Sequence, residues 1–122
     1  MATVTPTVED IAGDGSVRKI TWTLTSANND GALVKMAQWA DRSVTFQGTW
    51  GTATAGIEGS NDGGTTYIAL ADPQGNPISK TADSVEAVLE LTELMRPRLT
   101  TPGSGATVKV VMLCRRIQPL RT

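Results

Sequence analysis

Apolar residues along this chain recur with period two rather than with helical spacing, and threonine and glycine fill many of the positions between them. Successive side chains of a strand point to opposite faces, so this pattern predicts many short strands joined by tight turns. The clearest stretch is residues 18–26, where Ile20, Trp22 and Leu24 alternate with Lys19, Thr21, Thr23 and Thr25. Asn28-Asn29-Asp30-Gly31 follows as a turn signal, because Asn, Asp and Gly tolerate positive φ. Residues 32–39 form a short segment whose two faces the pattern does not distinguish. Residues 43–50 set Val44 and Phe46 against Ser43, Thr45 and Gln47, and Gly48 and Gly51 mark a tight connection into residues 52–59. There Ala53, Ala55 and Ile57 share a face. The small residues of that strand predict a close approach by another backbone.

Ser60-Asn61-Asp62-Gly63-Gly64 is the strongest hairpin signal, with residues 65–71 as the partner strand, Tyr67 on one face and Ile68 and Leu70 on the other. Two prolines place Asp72-Pro73-Gln74-Gly75-Asn76-Pro77 in a loop. Residues 83–95 carry two patterns. Val85, Val88, Leu89 and Met95 have partial helical spacing, while Val85, Ala87, Leu89 and Leu91 alternate as one face of a strand. Strand is preferred because the rest of the chain reads as β. Pro97 forces Arg96 into an extended conformation. After a turn at 101–105, residues 106–116 set Val108, Val110, Met112 and Cys114 on one side of a last strand. Some seven or eight short strands at ~8–12-residue spacing are the pattern of a β-sandwich or a small barrel. Residues 1–15 carry little apolar content and read as an exposed arm, and 117–122 as a short C-terminal tail.

Composition narrows the chemistry. A chain of 122 residues has room for one core. It has no histidine, which excludes a Ser-His-Asp triad, a Cys-His pair, a His-ligated zinc and an imidazole base. Cys114 is the only cysteine, which excludes an internal disulfide and a Cys-cluster metal site. Eleven Lys and Arg against twelve Asp and Glu leave a net charge of −1, so no overall field recruits nucleic acid or an anionic membrane. No apolar run reaches the ~18–20 residues of a membrane helix, and the first residues lack the basic and apolar regions of a secretory signal. Synthesis in the cytoplasm is expected.

The remaining candidate chemistry reads as structural or interfacial. Glu58, Asp62, Glu86, Glu90 and Glu93 are expected on solvated faces and turns rather than in a catalytic pair. Asn28, Asn29, Asp30, Asn61 and Asp62 supply hard oxygen atoms, but turn geometry accounts for them and neither loop matches an EF-hand. No cofactor or metal is expected. Trp22 falls on an apolar face, whereas Trp39 and Trp50 lie near strand ends, where exposure would make them contacts for protein or sugar. Arg96, Arg98, Arg115, Arg116 and Arg121 cluster late in the sequence. If the Arg96–Arg98 segment pairs with the last strand, their guanidiniums share one face, and contact with a partner's carboxylates is the expected role.

One family resemblance follows from these segments. The run Val44-Thr45-Phe46-Gln47-Gly48-Thr49-Trp50-Gly51 leads to Ile57-Glu58-Gly59-Ser60-Asn61-Asp62-Gly63-Gly64, then to Tyr67-Ile68-Ala69-Leu70 and Asp72-Pro73-Gln74-Gly75-Asn76. Arg96-Pro97-Arg98-Leu99-Thr100 precedes a Gly-rich turn and a Val-rich strand ending in Arg115-Arg116. Over residues 16–116 this order resembles the small β-sandwich capsid decoration (cement) proteins of tailed bacteriophages. The resemblance implies an all-β, jelly-roll-like antiparallel β-sandwich with an extended N-terminal arm, and it carries no catalytic residues. It implies a non-enzymatic virion protein that binds the outside of a phage capsid and braces it. The expected partners are the major capsid protein and further copies of the chain, with a trimer preferred because local three-fold positions are natural docking sites. Expected contact residues are Arg96, Arg98, Trp39 and Trp50, with Val4 and Pro6 in the arm; deleting residues 2–15 is expected to leave the fold intact and to weaken capsid binding. The alternatives are a phage tail or fibre component, and a carbohydrate-binding adhesion module.

Overall fold

The computed structural model describes residues 3–116, so the expected tail at 117–122 and Arg121 lie outside the described residues. The strands are β1 (Thr3–Val4), β2 (Thr7–Asp10), β3 (Val17–Thr25), β4 (Asp30–Gly31), β5 (Val34–Lys35), β6 (Trp39–Thr49), β7 (Thr54–Ser60), β8 (Ile68–Ala69), β9 (Ser79–Lys80), β10 (Ser84–Ala87), β11 (Leu94–Thr101) and β12 (Thr107–Arg116). A five-stranded sheet runs β10-β6-β12-β3-β2. A seven-stranded sheet runs β1-β4-β11-β7-β8, with β5 also on β11 and β9 also on β7. All pairs are antiparallel except β1 with β4.

The order of these strands is that of a jelly roll. From β3 onward the chain alternates between the sheets, except that β4 and β5, and later β7, β8 and β9, follow one another in the seven-stranded sheet. Counting β4 with β5, and β8 with β9, as single positions, one sheet reads sixth–third–eighth–first and the other second–seventh–fourth–fifth. The protein is therefore an all-β, jelly-roll-like sandwich, as expected, with its last strand paired between two strands laid down much earlier.

Alternation places the core. Trp22, Val110 and Phe46 stand opposite one another on β3, β12 and β6, and Ile20, Met112 and Val44 form the next inward row. Ala55, Ile57, Met95 and Leu99 close the core from the other sheet, all buried. Each large apolar side chain removed from water contributes about 1.5–3 kcal/mol, which outweighs a single surface ion pair. Gly31 is needed at this junction. A Cβ there would lie 2.5 Å from the Pro97 ring and 2.9 Å from the Trp22 indole. The Trp22 Nε1–H donates to the Ala32 carbonyl at 3.0 Å. Cys114 is a buried free thiol, and desolvation pushes its pKa up to about 11.

A bulge in β6 reorients one residue that matters later. Leu113 pairs with Ser43, but Arg115 pairs with Ala40, so β6 carries one extra residue there. Asp41 takes it up in a left-handed conformation, φ 48°, which Asp tolerates. Trp39 and Arg42, three apart in sequence, consequently both point inward.

Four expectations need correction. The N-terminal segment is extended and mostly exposed, as expected of an arm, but it is paired with both sheets rather than detached. β1 lies along β4 and β2 along β3, so it passes from the edge of one sheet to the edge of the other. Val4 packs against the core, and its carbonyl accepts the Ala32 N–H at 2.8 Å. The turn expected at 28–31 lies earlier, because Asp30 and Gly31 pair as β4. The hairpin after β7 exists, but with a longer loop and a two-residue partner; Ile68 in that strand is exposed, whereas Leu70 just after it is buried. Within 83–95, only Ser84–Ala87 precedes the next strand as β structure, and the face that alternation left unassigned looks outward: Val85, Leu89 and Leu91 are exposed while Val88 is buried. β10 is an edge strand whose Glu86 turns to the Lys80 Nζ at 3.0 Å, across the open side of the sandwich.

Candidate interaction surfaces

The two arginines flanking Pro97 lie on the outer side of β11. Direct cross-strand pairing sets Arg96 opposite Glu58 of β7, and its Nε–H donates to Glu58 Oε1 at 3.0 Å. The same guanidinium stacks on the Tyr67 ring at 3.7 Å, which adds a cation–π contact. Arg98 pairs in register with Asp30 on one side and Gly56 on the other. Its Nη1 lies 3.7 Å from Glu58 Oε2, and its Nε lies 3.0 Å from Asp30 Oδ1 as an ion pair without a directed hydrogen bond. Glu58 thus links both arginines in a chain from Tyr67 to Asp30. These guanidiniums are occupied by carboxylates of their own chain and tie three strands together. They do not join Arg115 and Arg116, because β11 and β12 belong to different sheets.

The tryptophans are spent differently from the expectation. Trp39 is buried, with the Arg18 guanidinium 4.2 Å over its ring, so it is not an exposed anchor. Trp50 is half-buried, and its Nε1–H donates to Asp83 Oδ1 at 2.8 Å. That bond, with a second from the Gly48 N–H at 3.1 Å, holds the Asp83 carboxyl below its ordinary pKa. The two rings sit at opposite ends of β6 and form no common platform. Val4 and Pro6 are half-buried on the segment that crosses between sheets, with Val4 in register with Gly31. The six expected contact residues therefore do not converge on one site.

Three polar features rest on contacts that only the fold supplies. Arg42 is buried, and its guanidinium donates to the carbonyls of Trp39 at 2.8 Å, Val88 at 3.4 Å and Glu90 at 2.6 Å. Burial pulls its pKa down, and Cys114, Asp41 and Glu90 oppose that shift. Its role is to clamp the segment after β10 onto β6. Asp62 organises the loop after β7 by accepting the Thr66 N–H at 2.9 Å, the Ser60 hydroxyl at 2.7 Å and the Thr65 N–H at 3.1 Å, which lowers its pKa to about 2. Asn61 and Glu93 stitch the same loop to the segment before β11, through Glu93 N–H to Asn61 Oδ1 and Gly63 N–H to Glu93 Oε1.

Two hollows, of about 550 and 570 Å³, flank that clamped segment and share Leu91. The first lies beside Ile68, Leu70 and Asp62. The second lies beside Ser43, Ala87, Leu89 and Pro73. The alternation from Val85 to Leu91 was the one available signal for this surface, and it points to a strand face without saying whether that face looks inward or outward.

No protein-family model matches this chain, and no curated protein matches it. The surfaces are read from their own chemistry. Among the described residues, no three His, Cys, Asp or Glu side chains come together as a metal cluster. No helix among them is long and apolar enough to cross a membrane.

Proposed function

We propose that this chain is a non-enzymatic virion structural protein that binds the outside of a phage capsid and stabilises it. Its partners are the major capsid protein and further copies of itself, with a trimer at local three-fold positions. The observation that carries this reading is the jelly-roll strand order, an architecture shared by viral capsid and lectin domains, in the segments that bear the family resemblance. Those segments fall on regular elements: residues 44–51 are the second half of β6 and its turn, and residues 57–64 are the second half of β7 and the loop that Asp62 organises. Cross-strand ion pairs and a carbonyl-bound arginine suit a rigid brace, which has to transmit load without rearranging.

The lectin-like alternative lacks its platform, because Trp39 is buried and Trp50 packs half-buried against the core with its Nε1–H bound to Asp83. Sedimentation with phage shells assembled without this protein tests the proposal. Co-sedimentation with a rise in the temperature at which the shells open is the expected result. A protein that stays in the supernatant, with shell stability unchanged, overturns the capsid reading.

A further inference from the structure

Two arginines point into one end of the sandwich. Arg18 stands opposite the buried Cys114 on the inward side of β3, with its guanidinium 4.2 Å over the Trp39 ring. Arg42, turned inward by the bulge, donates to the Trp39 carbonyl. Among the described residues, no carboxylate lies within ion-pair distance of either guanidinium. Asp41 and Glu90, the acidic residues whose charges Arg42 feels, are engaged elsewhere: Asp41 sits 3.8 Å from Arg115, and Glu90 accepts the Ala71 N–H at 2.7 Å. Arg42 is only 7% exposed, and its Nε–H has no acceptor. Carbonyl dipoles solvate a buried cation without cancelling its charge, and buried charges are ordinarily paired. Arg42 also lines the hollow of about 570 Å³ beside the end of β10. The other walls are mainly apolar, with Val88, Leu89, Leu91 and Pro73 prominent, and Asp41 is the one other charged residue among the described residues that line it.

We propose that this hollow is a docking site for a segment of another protein in which a single carboxylate side chain is flanked by apolar residues. An apolar concavity with one placed polar group is the usual form of a binding site. Charge complementarity selects the occupant. Anything that covers the hollow takes from Arg42 its last contact with water, so an uncharged or cationic occupant meets the cost of an unpaired buried charge. A carboxylate removes that cost and gains a charge-assisted contact with an arginine already held in place by three carbonyls. Asp41 at the rim opposes a polyanion, which favours one carboxylate over a row of phosphates. Leu89 and Leu91 wall the hollow while standing 54% and 52% exposed. A small free ligand leaves that rim wet, whereas apolar residues on either side of a partner's carboxylate cover it. The site stands on its own chemistry, whichever protein supplies the segment.

Nuclear magnetic resonance titration of the full chain with three blocked tripeptides tests this. They are Leu-Glu-Leu, Leu-Gln-Leu and Leu-Lys-Leu, acetylated and amidated so that the central side chain carries the only charge. Leu-Glu-Leu should bind at millimolar concentration, shift the amides of residues 87–91, and bind at least tenfold tighter than either of the others. Arg42 stays in place, because its loss unfastens the segment after β10. The variants alter the charge around it instead. Leu89→Glu should weaken Leu-Glu-Leu about fivefold relative to Leu89→Gln, which removes the same apolar contact without adding a charge. Asp41→Asn, at a side chain 72% exposed whose left-handed backbone asparagine tolerates, should tighten Leu-Glu-Leu about threefold and leave Leu-Gln-Leu unchanged. Unaltered far-ultraviolet circular dichroism verifies the fold of each variant. Equal affinity for the three peptides overturns the proposal, as do shifts confined to other parts of the molecule or no shift at all. Selective binding of Leu-Glu-Leu by a chain that ignores phage shells sustains this site and removes the capsid reading.

Discussion

Single polar residues organise the irregular parts of this sandwich, and Asp62 shows how. Its carboxylate gathers the loop after β7 through Thr66, Ser60 and Thr65, and these bonds favour the ionised form. The folded-state pKa of about 2 lies below the ordinary aspartate value of 3.8, so the associated stabilisation is complete above pH 4 and is lost as pH falls through 2. The melting-temperature gap between the wild type and Asp62→Ala should therefore be present at pH 7, narrow below pH 4 and close near pH 2. A gap independent of pH would show that the carboxylate charge is not what holds the loop. Cys114 is the opposite case. Its thiol donates weakly to the Arg18 carbonyl at 3.7 Å and stays protonated because burial disfavours the thiolate. Both positions were visible in the sequence, Asp62 as a turn residue and Cys114 as an apolar-register residue. Their pKa values depend on neighbours that only folding supplies.

At the scale of elements, the inward arginine of β6 does what no apolar residue at that place can do. β10 is followed by six residues that leave the sheet, and Arg42 satisfies carbonyls at Val88 and Glu90 in that segment and at Trp39 in its own strand. Replacing it by methionine keeps most of the volume and leaves those carbonyls without a donor. Urea unfolding of Arg42→Met should show a loss of about 3 kcal/mol, since each buried unsatisfied group costs about 1–3 kcal/mol. Arg42→Lys should recover only part of it, because one ammonium does not span the fork from β6 to the clamped segment. The sequence marks residue 42 only as a charge before a strand. The bulge at Asp41 turns it inward, and a bulge follows from pairing with β12, some seventy residues away.

The N-terminal segment pairs with both sheets, and this bears on the expectation that residues 2–15 can be deleted without loss of the fold. β1 and β2 give one short segment an edge position in both sheets, which links them across the open side of the sandwich. Deleting residues 2–10 removes both edge strands and the Val4 contact with the core. The expected outcome is a loss on the order of 2 kcal/mol, seen as a melting temperature lower by about 5–10 °C. An unchanged melting temperature would mean that the two edge strands contribute nothing to the fold. If shell binding is also lost, comparison with point variants that leave melting unchanged separates a contact role from a folding role.

The sequence alone determined what depends on nearest neighbours. Alternation identified β3, β6, β7 and β12 and their buried faces, and small residues in β7 foretold the close approach of Ile78 to Gly56. The absence of histidine and the single cysteine bounded the chemistry before any fold was considered. Tertiary structure decided whatever depends on which strand lies beside which. The carboxylates that hold Arg96 and Arg98 come from β7 and β4, and the burial of Trp39 follows from a bulge set by β12. The alternation from Val85 to Leu91 was visible, yet its direction was not, because a period of two specifies a face and leaves open which side the core lies on. That side is set when β10 becomes an edge strand, paired only with β6 in its sheet, and its apolar row is left facing solvent.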